Sequence, residues 1–356
     1  MLFDSLYLKN FRLYKEKSLN ISTVNTVITG SNGSGKTTLL ESINILLTGK
    51  SFRTNYLQEC VKEGEREFFL KLDESHTENK LTLTAMKSLE SRSPLERSNR
   101  AKITNKADLP VPVVILSKHL RMIESEPELR RDYFNKIMFH VEQDAHKVHT
   151  KYKKILTQRN KALKRKLPLP ELSFWTEKLI ESGLELHRVQ ESFFLKLRRA
   201  SQEKLKRREN KKNLKFLDGI EISFDRGWSK TRGYELELSE SIEKDRILGF
   251  TLRGPHRFDL IFTKERRLAS TILSRGQHKF LVISMYLVNN ALLKEKNNSG
   301  AIFLIDDITS ELDEANLETV LEDFTRIEEQ VILTAVEGKV SNQNQEILSQ
   351  FKQINI

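Results

Sequence analysis

Gly30-Ser-Asn-Gly-Ser-Gly35-Lys36-Thr37 is the stretch on which the reading of the chain turns. It follows a short β-branched run, Thr26-Val-Ile-Thr29, and opens a segment of good helix formers, residues 37–47 (TTLLESINILL), with apolar positions on one face. Strand, glycine loop and helix in that order match G-x-x-x-x-G-K-[ST], a phosphate-binding loop. Glycines let the backbone wrap closely enough for its N–H groups to hold phosphate oxygens, and the helix N-terminus adds its dipole. On this pattern Gly30, Ser31, Asn32, Gly33, Ser34, Gly35 and Thr38 cradle the phosphates of ATP, Lys36 reaches the β/γ-phosphates, and Thr37 ligates Mg²⁺. A plain glycine turn explains neither Lys36 nor the strand before it.

Such a loop needs a carboxylate at the end of a neighbouring strand. Residues 302–307, IFLIDD, supply it: four apolar residues, then two acids. Asp306 is expected to hold the metal through water, and Asp307 to orient or deprotonate the attacking water. Alone, an apolar strand ending in a solvated Asp pair is commonplace; beside the loop it is the expected partner. Residues 273–277, LSRGQ, resemble the LSGGQ signature of ABC-type ATPases. There Ser274 caps the following helix, and Ser274, Gly276 and Gln277 face the γ-phosphate held by a second subunit. Residues 310–313, SELD, then match the loop through which Asp313 crosses to the partner's site, although a plain capping box reads the same way. Lys36 and Asp306 stand 270 residues apart, so a long insertion separates the two halves of one site.

The chain has 356 residues, 38% hydrophobic and 31% charged, with a net charge of +11. The charge is segregated. Residues 147–215 hold 21 Lys and Arg against 7 Glu, a net of +14, so the remainder is net −3. A polyanionic partner is indicated, and the usual alternative is a solvated helix face. Cys60 is the single cysteine, which excludes an intramolecular disulfide or a cysteine zinc site. The N-terminal residues lack the pattern of a signal peptide and no apolar run is long enough to span a bilayer, so a cytoplasmic protein without membrane attachment is expected.

Working outward, residues 2–8, 67–72, 80–86 and 111–116 read as strands, with 87–99 a polar loop. Residues 126–167 and 172–212 read as charged helices, and Pro168 and Pro170 force a turn between them. Residues 220–228 and 234–239 read as strand and turn, 277–294 as a helix and 301–305 as a buried strand. The expected fold is α/β: an ABC-type P-loop ATPase head of mixed sheets and helices, residues 1–116 plus 216–356, with an inserted basic helical arm, residues 117–215.

With those residues in hand the sequence resembles the RecF family of bacterial recombination-repair ATPases. The similar stretches are residues 10–14 (NFRLY), the P-loop with Leu40-Glu41, 49–54 (GKSFRT), Pro127 with Arg130-Arg131, 158–160 (QRN), Gly227-Trp228, Asp245-Arg246 and 254–257 (GPHR), then the signature, the Asp pair and the 310–313 loop. The resemblance implies an SMC-like head that forms an ATP-dependent homodimer and hydrolyses ATP slowly. It also implies binding to DNA at gaps and single-strand/double-strand junctions, with RecR and RecO as partners in loading RecA. Three positions depart from the family pattern. Ser117-Lys-His-Leu120 stands where Ser-Pro-Glu-Asp is usual, Thr334 stands where a switch histidine is expected nearby, and Phe258 replaces a residue that is often acidic. Arg53 is a candidate for nucleotide or DNA contact, with a plain surface arginine as the alternative, and Arg130 and Arg131 are candidates for DNA contact, with intramolecular pairing to carboxylates as the alternative. The rival functions are an ATPase subunit of another ABC-type complex, such as a transporter, and a DNA-binding scaffold with little ATPase activity.

Overall fold

The structure is a computed structural model that describes residues 2–21, 25–74, 81–90, 95–100, 109–206, 212–296, 300–337 and 342–356. The chain divides into two compact units, Met1–Leu120 with Arg275–Ile356, and Arg121–Ser274.

In the first unit, Ser5–Phe11 (β1), Tyr14–Asn20 (β2), Glu67–Glu74 (β4), Leu81–Ser88 (β5) and Glu96–Arg100 (β6) form an antiparallel sheet ordered β2-β1-β4-β5-β6. Strands β4 and β5 alternate buried and half-exposed positions, as a sheet covered on one face must. Thr26–Gly30 (β3), Val111–Ile115 (β7), Ala301–Ile305 (β11), Val331–Val336 (β12) and Lys352–Asn355 (β13) form a second sheet, all parallel, ordered β13-β3-β12-β11-β7. All five residues of β11 are buried, the continuous apolar run of a strand covered on both faces.

The helix after the glycine loop, Lys36–Thr48 (α1), packs against β4 and β5 of one sheet and β3, β7 and β12 of the other. It is buried on nearly every side, so the one-sided burial expected from its apolar positions does not hold. The polar stretch 87–99 is likewise not simply a loop. It includes β6, whose Arg97 Nη2 donates to the Leu46 and Leu47 carbonyls (2.7 and 2.9 Å) and closes the C-terminal end of α1. Residues 91–94 lie outside the described residues.

The second unit is built on Pro127–Val141 (α2), Ala145–Lys164 (α3) and the 38-residue Leu169–Lys206 (α4). Helices α3 and α4 form the hairpin that Pro168 and Pro170 demand, α4 starting one residue before Pro170 because proline is tolerated in a first turn. Ile220–Asp225 (β8), Asp259–Lys264 (β9) and Arg267–Leu268 (β10) make a small antiparallel sheet. Residues 216–274 therefore group with the helices, because β8 packs on α4 and β9 on α2. Residues 234–239 are helical, Tyr234–Glu240 (α5), where strand and turn were expected: the buried Tyr234 and Leu238 are four residues apart. The helices Ile242–Leu248 (α6) and Ala269–Ile272 (α7) complete this unit. In the first unit Arg275–Lys296 (α8), Ile308–Glu311 (α9), Glu314–Thr325 (α10) and Asn342–Leu348 (α11) complete the head.

The motif residues of the second unit tie its elements together. Arg159 and Asp245 form a fully buried ion pair (2.7 Å), and Arg159 also donates to Thr176 and Thr251. Arg130 makes a two-pronged pair with Asp259 (2.7 and 2.9 Å) and donates to the Met122 and Ser125 carbonyls, so its guanidinium is committed within the unit. Phe258 is buried among Phe134 and Phe224, which accounts for an aromatic residue at this position.

Candidate active site

The glycine loop joins β3 to α1, and Gly33 and Gly35 adopt φ of 83° and 104°, conformations that few other residues enter. Gly35 has no room for a side chain: a Cβ there would lie 2.5 Å from the Tyr14 hydroxyl. That hydroxyl donates to the Ser34 carbonyl (3.1 Å), and burial pushes its pKa up to about 12, which keeps it a donor. Tyr14 is thus a strut of the loop. The sequence placed it within a family-like stretch without indicating that role.

Lys36 is buried, and its Nζ donates to the Gly30 and Ser31 carbonyls, both at 2.7 Å. The loop is curled around its own ammonium, while Ser31, Asn32 and Gly33 form an exposed rim. The first N–H groups of α1 have no intrahelical acceptor, as at any helix start.

Across the site, Thr37 Oγ1 donates to Asp306 Oδ1 and Oδ2 (3.0 and 2.9 Å). Asp306 directly follows β11, 269 residues away along the chain, and the parallel pairing of β11, β12 and β3 brings it there. Thr334, on the intervening strand β12, donates from Oγ1 to Asp306 Oδ1 (2.9 Å) and accepts the Asp307 backbone N–H (2.8 Å). It joins the two acids.

Asp307 has φ 49° and ψ 45°, a left-handed conformation tolerated by aspartate better than by most residues. Its Oδ2 accepts from Ser310 Oγ (2.6 Å), and its Oδ1 is buried without a hydrogen-bond partner. Ser34 Oγ is a second buried polar atom without one. The buried orphan oxygens, the glycine cradle and the paired Thr37 and Asp306 oxygens fit a bound nucleoside triphosphate and a Mg²⁺ ion. Among the described residues no group of three or more His, Cys, Asp or Glu side chains could hold a metal alone; Mg²⁺ commonly keeps several waters and takes substrate phosphate oxygens beside one or two carboxylates.

A second cluster holds the signature and the 310–313 loop. Ser274 and Arg275 are exposed at the start of α8. Gly276 lies so close to Asp313 that a Cβ would come within 2.8 Å of its Oδ2. Asp313 caps α10, its Oδ1 accepting the Asn316 N–H (2.9 Å) and its Oδ2 the Asn316 amide (2.8 Å). The cap is Asp313 itself; Ser310, the N-cap of the capping box that the sequence offered, lies inside α9 and bonds Asp307 instead. Gln277 is half-buried in the first turn of α8. Glu311 of the same loop pairs with Lys279 (2.6 Å). Burial pushes the Glu311 carboxyl up, but hydrogen bonds from Lys279 and Ser117 outweigh it and hold the carboxyl below the usual glutamate value.

The remaining candidates divide. Arg53 pairs with Glu41 (3.4 Å), a fully buried carboxylate in α1 that also takes a two-pronged contact from Arg12 and a hydrogen bond from Ser51 (2.5 Å). His256 is structural, bonded to the Tyr152 hydroxyl (2.7 Å) and the Thr251 carbonyl (3.2 Å). Lys204 and Lys206 end α4, while Arg207, Arg208 and Lys211 lie outside the described residues. No helix of the described residues is long and apolar enough to cross a membrane.

Comparison with known proteins agrees with this architecture. Residues 2–355 match the family described as RecF/RecN/SMC N terminal domain. The chain is 31% identical over 318 residues to a protein named DNA replication and repair protein RecF from Cellvibrio japonicus, covering 87% of this chain and 85% of that one. It is 29% identical over 338 residues to the protein of the same name from Coxiella burnetii (strain Dugway 5J108-111), covering 94% and 92%. A solved structure described as the recombination mediator protein RecF-ATPrS in the RecFOR pathway superposes with a TM-score of 0.78 at 21% identity, covering 95% of this chain and 94% of that one. An SMC head bound to the C-winged helix domain of ScpA gives 0.53 at 14% identity, covering 96% and 92%.

Proposed function

This chain belongs to the RecF family, and on that premise we propose that it is a DNA replication and repair protein that uses ATP as a conformational switch. The observation that carries the reading is the Asp306 carboxylate, joined within 3.0 Å to the hydroxyls of Thr37 and Thr334 beside a buried Lys36. In this reading the loop residues Gly30–Thr38 hold the phosphates and Lys36 binds the β/γ-phosphates. Thr37 and Asp306 hold a Mg²⁺ that neutralises phosphate charge. Asp307 positions the attacking water, and Ser310 and Thr334 fix its carboxylate and backbone. Ser274, Gly276, Gln277 and Asp313 complete the site of a second copy, so ATP binding and homodimerisation are one event. Slow, DNA-stimulated turnover then times release from gapped or junction DNA, with RecR- and RecO-type partners.

Light-scattering mass measurement with and without ATP tests the core of this. The wild type is expected to double in mass with ATP, and Asp307→Asn to keep the doubled mass longer as phosphate release slows. Lys36→Ala is expected to stay monomeric and to lose ATP binding by equilibrium dialysis while remaining folded. Wild-type ATP affinity in Lys36→Ala would remove the assignment.

A further inference from the structure

The second unit contains a cleft of about 730 Å³, lined in part by Asp225, Lys230, Phe250, Arg253 and Arg257. All of these residues lie within Arg121–Ser274, away from the residues assigned to ATP. Three cations face one carboxylate, and Asp225 already accepts the Gly227 N–H through Oδ1 (2.9 Å). Among the described residues Lys230 and Arg257 form no ion pair, and Arg253 only reaches Glu237 at 4.0 Å. The charge here is only partly compensated, in contrast to Arg130, Arg159 and Arg12, each bound to a carboxylate at 2.7 Å. A flat surface accompanies the charge: the Arg257 guanidinium lies over the half-buried Phe250 ring, 5.6 Å from its centroid.

We propose that this cleft binds single-stranded nucleic acid, Lys230, Arg253 and Arg257 taking backbone phosphate and the Phe250–Arg257 stack taking a base. A cation cluster beside an aromatic platform is the arrangement that engages an unpaired strand, because every base offers a π-face. The charge of the whole unit favours a polyanion over a small acidic ligand. Residues 121–274 contain 35 Lys and Arg against 23 Asp and Glu, so this unit carries a net of +12 in a chain of net +11. The cleft's volume admits a nucleotide unit.

The site rests on the DNA-binding reading above and gives it a location. The test is fluorescence anisotropy of the full chain with a labelled oligo-dT 20-mer over a range of salt concentrations. Lys230→Gln with Arg257→Gln is expected to weaken binding by about tenfold and to flatten the log K against log salt slope by about 1.4, the loss of two single-strand phosphate contacts. Phe250→Leu is expected to weaken it by about fivefold or more with the slope unchanged. ATP binding and melting temperature are the controls for a folded chain. Wild-type affinity and slope in the double variant would overturn the cleft while leaving DNA binding intact. A wild-type chain that binds no oligonucleotide would overturn both. Displacement of the 20-mer by dTMP or inorganic phosphate at equal phosphate concentration would also overturn the proposal, by making the cleft a pocket for free nucleotide or anion.

Discussion

At the scale of single residues, Thr334 shows how one hydroxyl can organise two acids. It donates to Asp306 and accepts from the Asp307 backbone, so Thr334→Val leaves a part-buried N–H without its acceptor. Such a loss costs about 1–3 kcal/mol. Nucleotide binding should persist, because Lys36 and the loop are untouched, whereas phosphate release should fall by about tenfold or more as Asp307 loses its anchor. Paired dialysis and phosphate-release assays check this; an unchanged release rate would move the anchoring elsewhere. His256 yields a pH prediction. Burial pushes its imidazole down to about 4, with a smaller opposing push from the Thr251 carbonyl. The folded value lies below the unfolded one, near 6.5, so the unfolded chain binds the extra proton. This contribution is full above pH 6.5 and is lost as pH falls toward 4, by roughly 3 kcal/mol at most. His256→Gln should show a shallower loss of urea stability than wild type between pH 6.5 and 4.

At the scale of elements, helix α4 carries Gly183 in its middle, a place where alanine normally adds about 1 kcal/mol. Here an added Cβ would sit 2.6 Å from Cε1 of Tyr234, whose ring is buried and packs at a tilt with its centroid 4.7 Å from that of Trp228. Overpacking of about 1–3 kcal/mol wins, so Gly183→Ala should lower the urea midpoint. This contact also marks where sequence reading stops. The glycine loop, β11 and the α3–α4 hairpin were legible because periodicity and turn residues are local signals. Strand β6 was not: residues 96–100, ERSNR, have no apolar alternation, and their strand conformation comes from pairing with β5. Helix α5 was misread because YELELS alternates like a strand while its burial follows a spacing of four. In the candidate site the sequence named Lys36, Thr37, Asp306 and Asp307 but could not see Tyr14 beneath Gly35 or Ser310 on Asp307, since neither spacing reports on contact. Arg130 looked available for DNA until its partner Asp259, 129 residues away, was located.

At the scale of the whole molecule, the prediction concerns assembly. Ser274 is exposed at the start of α8, so Ser274→Arg should leave the fold and ATP binding intact. If the signature faces a second copy's γ-phosphate, this variant should neither double in mass with ATP nor release phosphate. Light scattering decides it, and a normal ATP-dependent dimer would count against the paired-site arrangement. The division of the chain also sets an order of construction during synthesis on the ribosome. The second unit is contiguous, Arg121–Ser274, and can close as soon as it emerges. The first is not: β3, which launches the glycine loop, takes both its sheet neighbours from beyond residue 330. Until those segments arrive, β3 has no partner in its sheet, and Asp306 has yet to reach Thr37. The nascent head therefore leaves β3 unpaired throughout translation of the middle of the chain, and the Thr37–Asp306 contact forms only after the second unit has emerged.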